Sequence, residues 1–207
     1  VLYWLFRWFF VLIFRFFYRW EVSGRENIPL AGPFIICSNH ISWWDPPLVG
    51  SLVNHQPVYF MAKEELFQSP VSRSIMKKIH AFPVRRDSAD RRAIRTALDV
   101  LKGRNILGLF PEGTRSKTDE LLPPQAGVGM IAIKSEAAVL PIGIIGPYKL
   151  FRPVRVKIGK PLQFHEYYGQ KARTEHFEQV AATIMTEIDR LRRAQMHRGD
   201  ISENYPG

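Results

Sequence analysis

Pro33-Phe34-Ile35-Ile36-Cys37-Ser38-Asn39-His40-Ile41-Ser42-Trp43-Trp44-Asp45-Pro46-Pro47 is the stretch that decides the fold. Residues 33–37 form a short apolar run that reads as a buried strand. Asp45-Pro46-Pro47 reads as a helix start, with Asp at the cap and Pro at the first helical position. Between the two lie His40 and Asp45. Five residues turn about 500° along a helix and cover roughly 16 Å along a strand, so neither continuous element lets these side chains meet. The chain has to turn. His40 then falls just past the carboxyl end of a strand, where ligands bind in open α/β sheets. Asp45 can fold back to hold one ring nitrogen while the other faces a substrate hydroxyl. The same residues also fit a loop histidine beside an ordinary helix cap.

Outward from this stretch, short apolar runs alternate with helical patterns. A helix over about 46–53 precedes a strand at 57–61, a basic helix at 71–79 and a brief strand at 82–84. Ser88 is expected to open a helix ending at Gly103, and 106–110 is a buried strand that leads into Pro111-Glu112-Gly113. Residues 127–135 read as helix, 139–144 and 154–158 as strands, and Phe177, Val180, Ala181, Ile184, Ile188 and Leu191 keep helical spacing. Residues 22–32, with Ser23-Gly24 and Pro29, read as a linker. The alternation predicts an α/β fold, a mostly parallel sheet covered by helices on both faces, preceded by an amphipathic membrane-associating helix. The expected organisation is that helix over 1–20, one catalytic domain over 21–198 and a tail over 199–207. Loops ending near His40, Arg86 and Glu112 would converge on one sheet edge.

The 207 residues carry 29 Lys plus Arg against 19 Asp plus Glu, a net charge of +10 that points to an anionic partner. Nucleic acid is not expected, because zinc-ligand spacing, an aromatic RNA-binding signature and a heptad-bearing basic helix are all missing from the sequence. Cys37, the one cysteine, excludes an internal disulfide and reads as a core residue, with a nucleophilic role as the alternative. His55, His80, His165, His176 and His197 are scattered without paired ligand spacing, so no metal is expected. Seventeen of the first twenty residues are apolar or aromatic, and the charges are Arg7, Arg15 and Arg19. On a helix these arginines lie within about 120°, a basic stripe on a broad apolar surface. Such a helix suits a membrane surface, with Trp4 and Trp8 at headgroup depth and Arg7, Arg15 and Arg19 reaching lipid phosphates. Three arginines make a spanning helix costly, and the alternative to a membrane is a helix packed on its own domain.

The second segment is Phe110-Pro111-Glu112-Gly113-Thr114-Arg115-Ser116. A glycine that permits close backbone approach, two hydroxyls and a fixed cation suit a phosphate, and Arg85 and Arg86 offer a second fork for the same anion. Glu112 is expected to accept a hydrogen bond from a substrate hydroxyl or a positioning arginine. An ordinary solvated turn with a surface arginine is the alternative.

Four ordered blocks together resemble the glycerolipid acyltransferase family, the PlsC-like group that contains the 1-acyl-sn-glycerol-3-phosphate acyltransferases. They are Asn39-His40 with Asp45, Phe82-Pro83-Val84-Arg85-Arg86, the segment 110–116, and Val139-Leu140-Pro141-Ile142. The resemblance implies that His40 takes the proton from the free hydroxyl of lysophosphatidic acid as that oxygen attacks an acyl thioester. Asp45 would steady the imidazolium, and Arg86, Arg85, Glu112, Gly113, Thr114 and Arg115 would hold the phosphate. No cofactor is implied. The thioester would come from acyl carrier protein or coenzyme A, and membrane phospholipids would surround an enzyme on the cytoplasmic face of the cell membrane. Related acceptors, glycerol 3-phosphate or another lysophospholipid, share the same chemistry, and a catalytically silent membrane-binding module is the reading from another class. The pattern departs at Gln125 and Ala126, where many relatives carry a lysine ahead of the glycine matching Gly127.

Overall fold

The computed structural model describes residues 1–85, 90–118 and 120–203, with side chains as far as Gln195 in the last helix. Among the described residues, seven strands form one sheet: β1 (Glu21–Ser23), β2 (Phe34–Ser38), β3 (Val58–Lys63), β4 (Ala81–Val84), β5 (Ile106–Leu109), β6 (Ala138–Ile145) and β7 (Arg155–Ile158). Their order is β1-β7-β6-β2-β5-β3-β4. Strands β6, β2, β5, β3 and β4 run parallel, whereas β7 opposes β6 and β1 follows β7. The predicted mostly parallel sheet is present, with a reversed pair at one edge.

Side chains alternate across β2. Ile35 and Cys37 join Leu107, Leu109 and Val139 under α4 (Arg91–Lys102), α5 (Ala126–Ser135) and α6 (Thr174–Glu203). Phe34 and Ile36 join Ile106, Leu140 and Ile142 on the opposite face, under α1 (Leu2–Phe16) and α2 (Asp45–Leu52). A short helix, α3 (Pro70–Lys78), lies near the β4 edge. Both faces are thus dry, which is why the central strands read as apolar runs instead of alternating ones. Helix α6 lies close enough to β6 that a Cβ on Gly143 would come within 2.8 Å of the Arg192 backbone nitrogen.

Three local expectations change. The linker contains β1, whose three residues are too few and too polar to show a strand period; Glu21 pairs instead with Arg155 across the β1/β7 ladder at 3.2 Å. Ser88 lies outside the described residues, and α4 begins at Arg91, where Asp90 accepts from the Arg92 and Ala93 amides. Asp45 is the first helical residue of α2 and does not cap it; Trp44 holds the cap position without a side-chain bond.

Helix α1 both packs on the domain and remains apolar outside. Phe14 is fully buried, and the Tyr3 hydroxyl accepts from the Val58 amide at 3.0 Å, so one face is docked. The opposite face leaves Leu5, Trp8, Phe9, Leu12 and Phe16 at half exposure or more. The stripe of three arginines is not formed. Arg7 turns inward to the carbonyls of Val53 and Ser51 at the end of α2, at 2.6 and 3.2 Å, satisfying orphan acceptors there. Arg19 lies beyond the helix at φ 40°. Arg15 stays exposed on the helix, Trp8 is 61% exposed and Trp4 is half-buried. Among the described residues, no helix is long and apolar enough to cross a membrane.

Candidate active site

The parallel strands deliver their carboxyl ends to one edge, and His40 stands there after β2. Its Nδ1 lies 2.8 Å from Asp45 Oδ2. The same Asp45 oxygen accepts from the backbone amides of Ile41 and Ser42 at 2.6 and 2.7 Å, so the carboxylate closes the turn around itself. Its other oxygen accepts from the Tyr148 hydroxyl at 2.6 Å. Asp45 is fully buried, and its two oxygens accept every one of these bonds. His40 is 6% exposed, and its Nε2 has no hydrogen-bond partner among the described residues. This geometry fixes one ring nitrogen on a carboxylate and leaves the other for a proton in transit.

Segment 110–116 is the support of His40. The imidazole stacks on Phe110 at 4.2 Å between centroids, and Phe110 in turn stacks on Phe60. Glu112 Oε1 accepts from the His40 amide at 2.8 Å, while the Ser116 amide donates to the His40 carbonyl at 2.8 Å. Glu112 Oε2 accepts from the Leu122 amide at 2.9 Å. The partners that the structure gives Glu112 are thus two backbone amides, beside which the expected substrate hydroxyl or arginine would be an additional donor. The carboxylate is 3% exposed, and each of its oxygens accepts from one backbone donor. Gly113 adopts φ 70°, a left-handed turn that glycine enters without steric cost. Thr114 and Arg115 remain exposed at the rim, the Arg115 guanidinium 4.0 Å above the Trp43 ring.

Asn39 is buried and bonds both ways to β6: its side-chain amide donates to the Ile144 carbonyl at 2.9 Å and its oxygen accepts from the Ile144 amide at 2.8 Å. Pro141 sits in β6 opposite Cys37, with its carbonyl accepting from Gly159, and is a packing residue below the site. Cys37 is fully buried, and burial pushes its thiol well above the ordinary range, which excludes the nucleophilic alternative. Arg85 is exposed and lines, with Lys63 and Arg73, a pocket of about 530 Å³ at the carboxyl ends of β3 and β4. Arg86 lies outside the described residues. Among the described residues no three His, Cys, Asp or Glu side chains could hold a metal ion together.

The model of the family described as Acyltransferase matches residues 19–145, a span that holds both the His40–Asp45 pair and the loop beneath it. The chain belongs to the acyltransferase family. It is 37% identical over 182 residues to the 1-acyl-sn-glycerol-3-phosphate acyltransferase of Bacillus subtilis (strain 168), covering 83% of this chain and 90% of that one. To the enzyme of the same name from Streptococcus pneumoniae R6 it is 29% identical over 186 residues, covering 83% of this chain and 68% of the other. The crystal structure of the 1-acyl-sn-glycerophosphate (LPA) acyltransferase PlsC from Thermotoga maritima is similar with a TM-score of 0.69 and 30% identity, covering 92% of this chain and 78% of that chain.

Two features of this acyltransferase escaped the sequence reading. Tyr148 stands 103 residues from its partner Asp45, in the connection after β6, with no local pattern to announce it. Burial, reinforced by the negative charge of Asp45, pushes its hydroxyl well above the usual tyrosine range, so it remains a donor. Lys63, at the end of β3, could have been found as a cation closing a predicted strand; it pairs with Glu65 at 2.6 Å on the rim of the pocket.

Proposed function

We propose that the chain is a 1-acyl-sn-glycerol-3-phosphate acyltransferase that moves an acyl group from a thioester to the free hydroxyl of lysophosphatidic acid, giving phosphatidic acid. The observation that carries this reading is the 2.8 Å bond from Asp45 to one nitrogen of His40, with the other nitrogen unpartnered at the sheet edge. His40 Nε2 accepts the hydroxyl proton while the oxygen attacks the thioester carbonyl. Asp45, braced by Tyr148, balances the imidazolium. When the tetrahedral intermediate collapses, the carbon–sulfur bond breaks, and the proton on His40 goes to the departing thiolate. Arg115, with Lys63 and Arg85 on the same edge, supplies the positive charge for the acceptor phosphate. The donor is the thioester of acyl carrier protein or coenzyme A, both anionic and suited to a +10 chain. The exposed apolar face of α1 supports work at a membrane surface, on the cytoplasmic face where such thioesters are made.

The test is conversion of lysophosphatidate and an acyl thioester to phosphatidate by the purified protein without added metal. His40→Ala should lower kcat at least about a hundredfold; wild-type turnover in a folded variant would overturn the mechanism. Arg115→Ala should raise the acceptor KM; an unchanged KM would remove the phosphate role of Arg115.

A further inference from the structure

The chain carries fifteen large hydrophobic residues that are exposed among the described ones, and ten of them fall on α1, its first residue and its end, or the connection between β6 and β7. That connection, residues 146–154, presents Leu150 and Phe151 at 59% and 58% exposure. It is fastened to the end of α1: the Phe151 amide donates to the Phe17 carbonyl, the Val154 amide donates to the Tyr18 carbonyl, and the rings of Phe17 and Phe151 meet at 6.2 Å. The exposed apolar side chains at the end of α1 therefore meet those of the loop. Phe151 holds φ 61°, a left-handed conformation that is unfavourable for a bulky side chain and that keeps its ring outside the core. Around this end of the patch stand Arg15, Arg19, Lys149 and Arg152, all exposed and none in an ion pair with a described acid.

The geometry points to the β6–β7 loop as a second membrane-docking element, with Leu150 and Phe151 entering an anionic lipid surface beside α1 while the four cations meet its headgroups. This rests on the membrane reading of α1 and adds to it a separate contact. An aromatic and a leucine flanked by free cations match the interfacial zone of a bilayer that carries negative lipid. The loop also joins the lipid surface to the chemistry. Tyr148, two residues before Leu150, bonds to Asp45, and Tyr18, one residue after Phe17, packs on both Tyr148 and Trp44. A lysolipid whose acyl chain stays in the bilayer would thus present its headgroup at the rim that holds His40.

The test uses the full chain and vesicles of equal parts phosphatidylcholine and phosphatidylglycerol. Because Cys37 is buried, Leu150→Cys can be labelled alone with an environment-sensitive fluorophore. The label should shift to the blue when vesicles are added, and one at Val71→Cys, an exposed position on α3, should not. The double variant Leu150→Ser, Phe151→Asn, with asparagine chosen because it tolerates the left-handed backbone, should bind these vesicles at least about tenfold more weakly. A Leu150 label that stays in water, or undiminished binding by the double variant, would overturn the proposal. If Trp8→Ser with Phe9→Ser releases the protein while the loop variant does not, the membrane reading of α1 stands and the loop proposal fails. If neither releases it, both fail.

Discussion

Glu112→Gln tests whether segment 110–116 grips the substrate or grips His40. In the structure the carboxylate receives two backbone N–H groups, from His40 at 2.8 Å and from Leu122 at 2.9 Å, at 3% exposure. Glutamine has one oxygen to offer. Whichever way the amide turns, one backbone N–H faces an NH2 group and is left unsatisfied, and the other bond loses its charge assistance. An unsatisfied buried donor costs about 1–3 kcal/mol, and converting the second bond to a neutral one costs about 1 kcal/mol more, giving about 3 kcal/mol together. For a chain of this length that lowers Tm by about 6–12 °C. The loss falls on the backbone of the catalytic histidine, so kcat should drop by about tenfold to a hundredfold while the acceptor KM moves by less than about twofold. Differential scanning fluorimetry and initial rates across acceptor concentrations read both quantities. An unchanged melting temperature with a several-fold higher acceptor KM would refute the reasoning and return Glu112 to the substrate.

Tyr148→Phe removes the donor to Asp45 Oδ1 and should cost about 2 kcal/mol of stability, lowering kcat more than KM. Because burial raises the Tyr148 hydroxyl above its ordinary value, its stabilisation is complete below about pH 10 and is lost as pH rises through the higher folded value. Tyr3, also raised by burial, follows the same direction in both proteins, so the melting temperature of the wild type should fall more steeply above pH 10 than that of the variant; parallel curves would contradict this. Asn39→Asp keeps the acceptor for the Ile144 amide but sets a buried charge against the Ile144 carbonyl, and should destabilise by about 3 kcal/mol. A denaturant midpoint equal to the wild type would show that this link between β2 and β6 carries no weight.

Much of the fold was legible because its signals are local. The apolar runs at 34–37 and 106–109 are central strands dry on both faces, and Pro46-Pro47 falls in the first turn of α2. What was missed was either a weak local signal or a partner far away in sequence. β1 has three residues and one apolar side chain, so its strand character comes from β7 alongside. Arg7 was legible as a cation and illegible as a ligand of α2, since its partners are carbonyls 44 and 46 residues away.

By itself the sequence pointed to the parallel sheet and to a turn between His40 and Asp45, because hydrophobic period, proline sterics and chain reach are properties of neighbours in sequence, while the four ordered motifs carried the resemblance to the family. Only the tertiary structure decided what each polar group serves. Glu112 offers the same two oxygens whether they face a phosphate-bearing substrate or the amides of His40 and Leu122, and Tyr148 is one more tyrosine until the end of β6 brings it to Asp45. Hydrogen-bond partners are selected by long-range packing, under the rule that a buried donor or acceptor must be satisfied by whatever the fold places within reach.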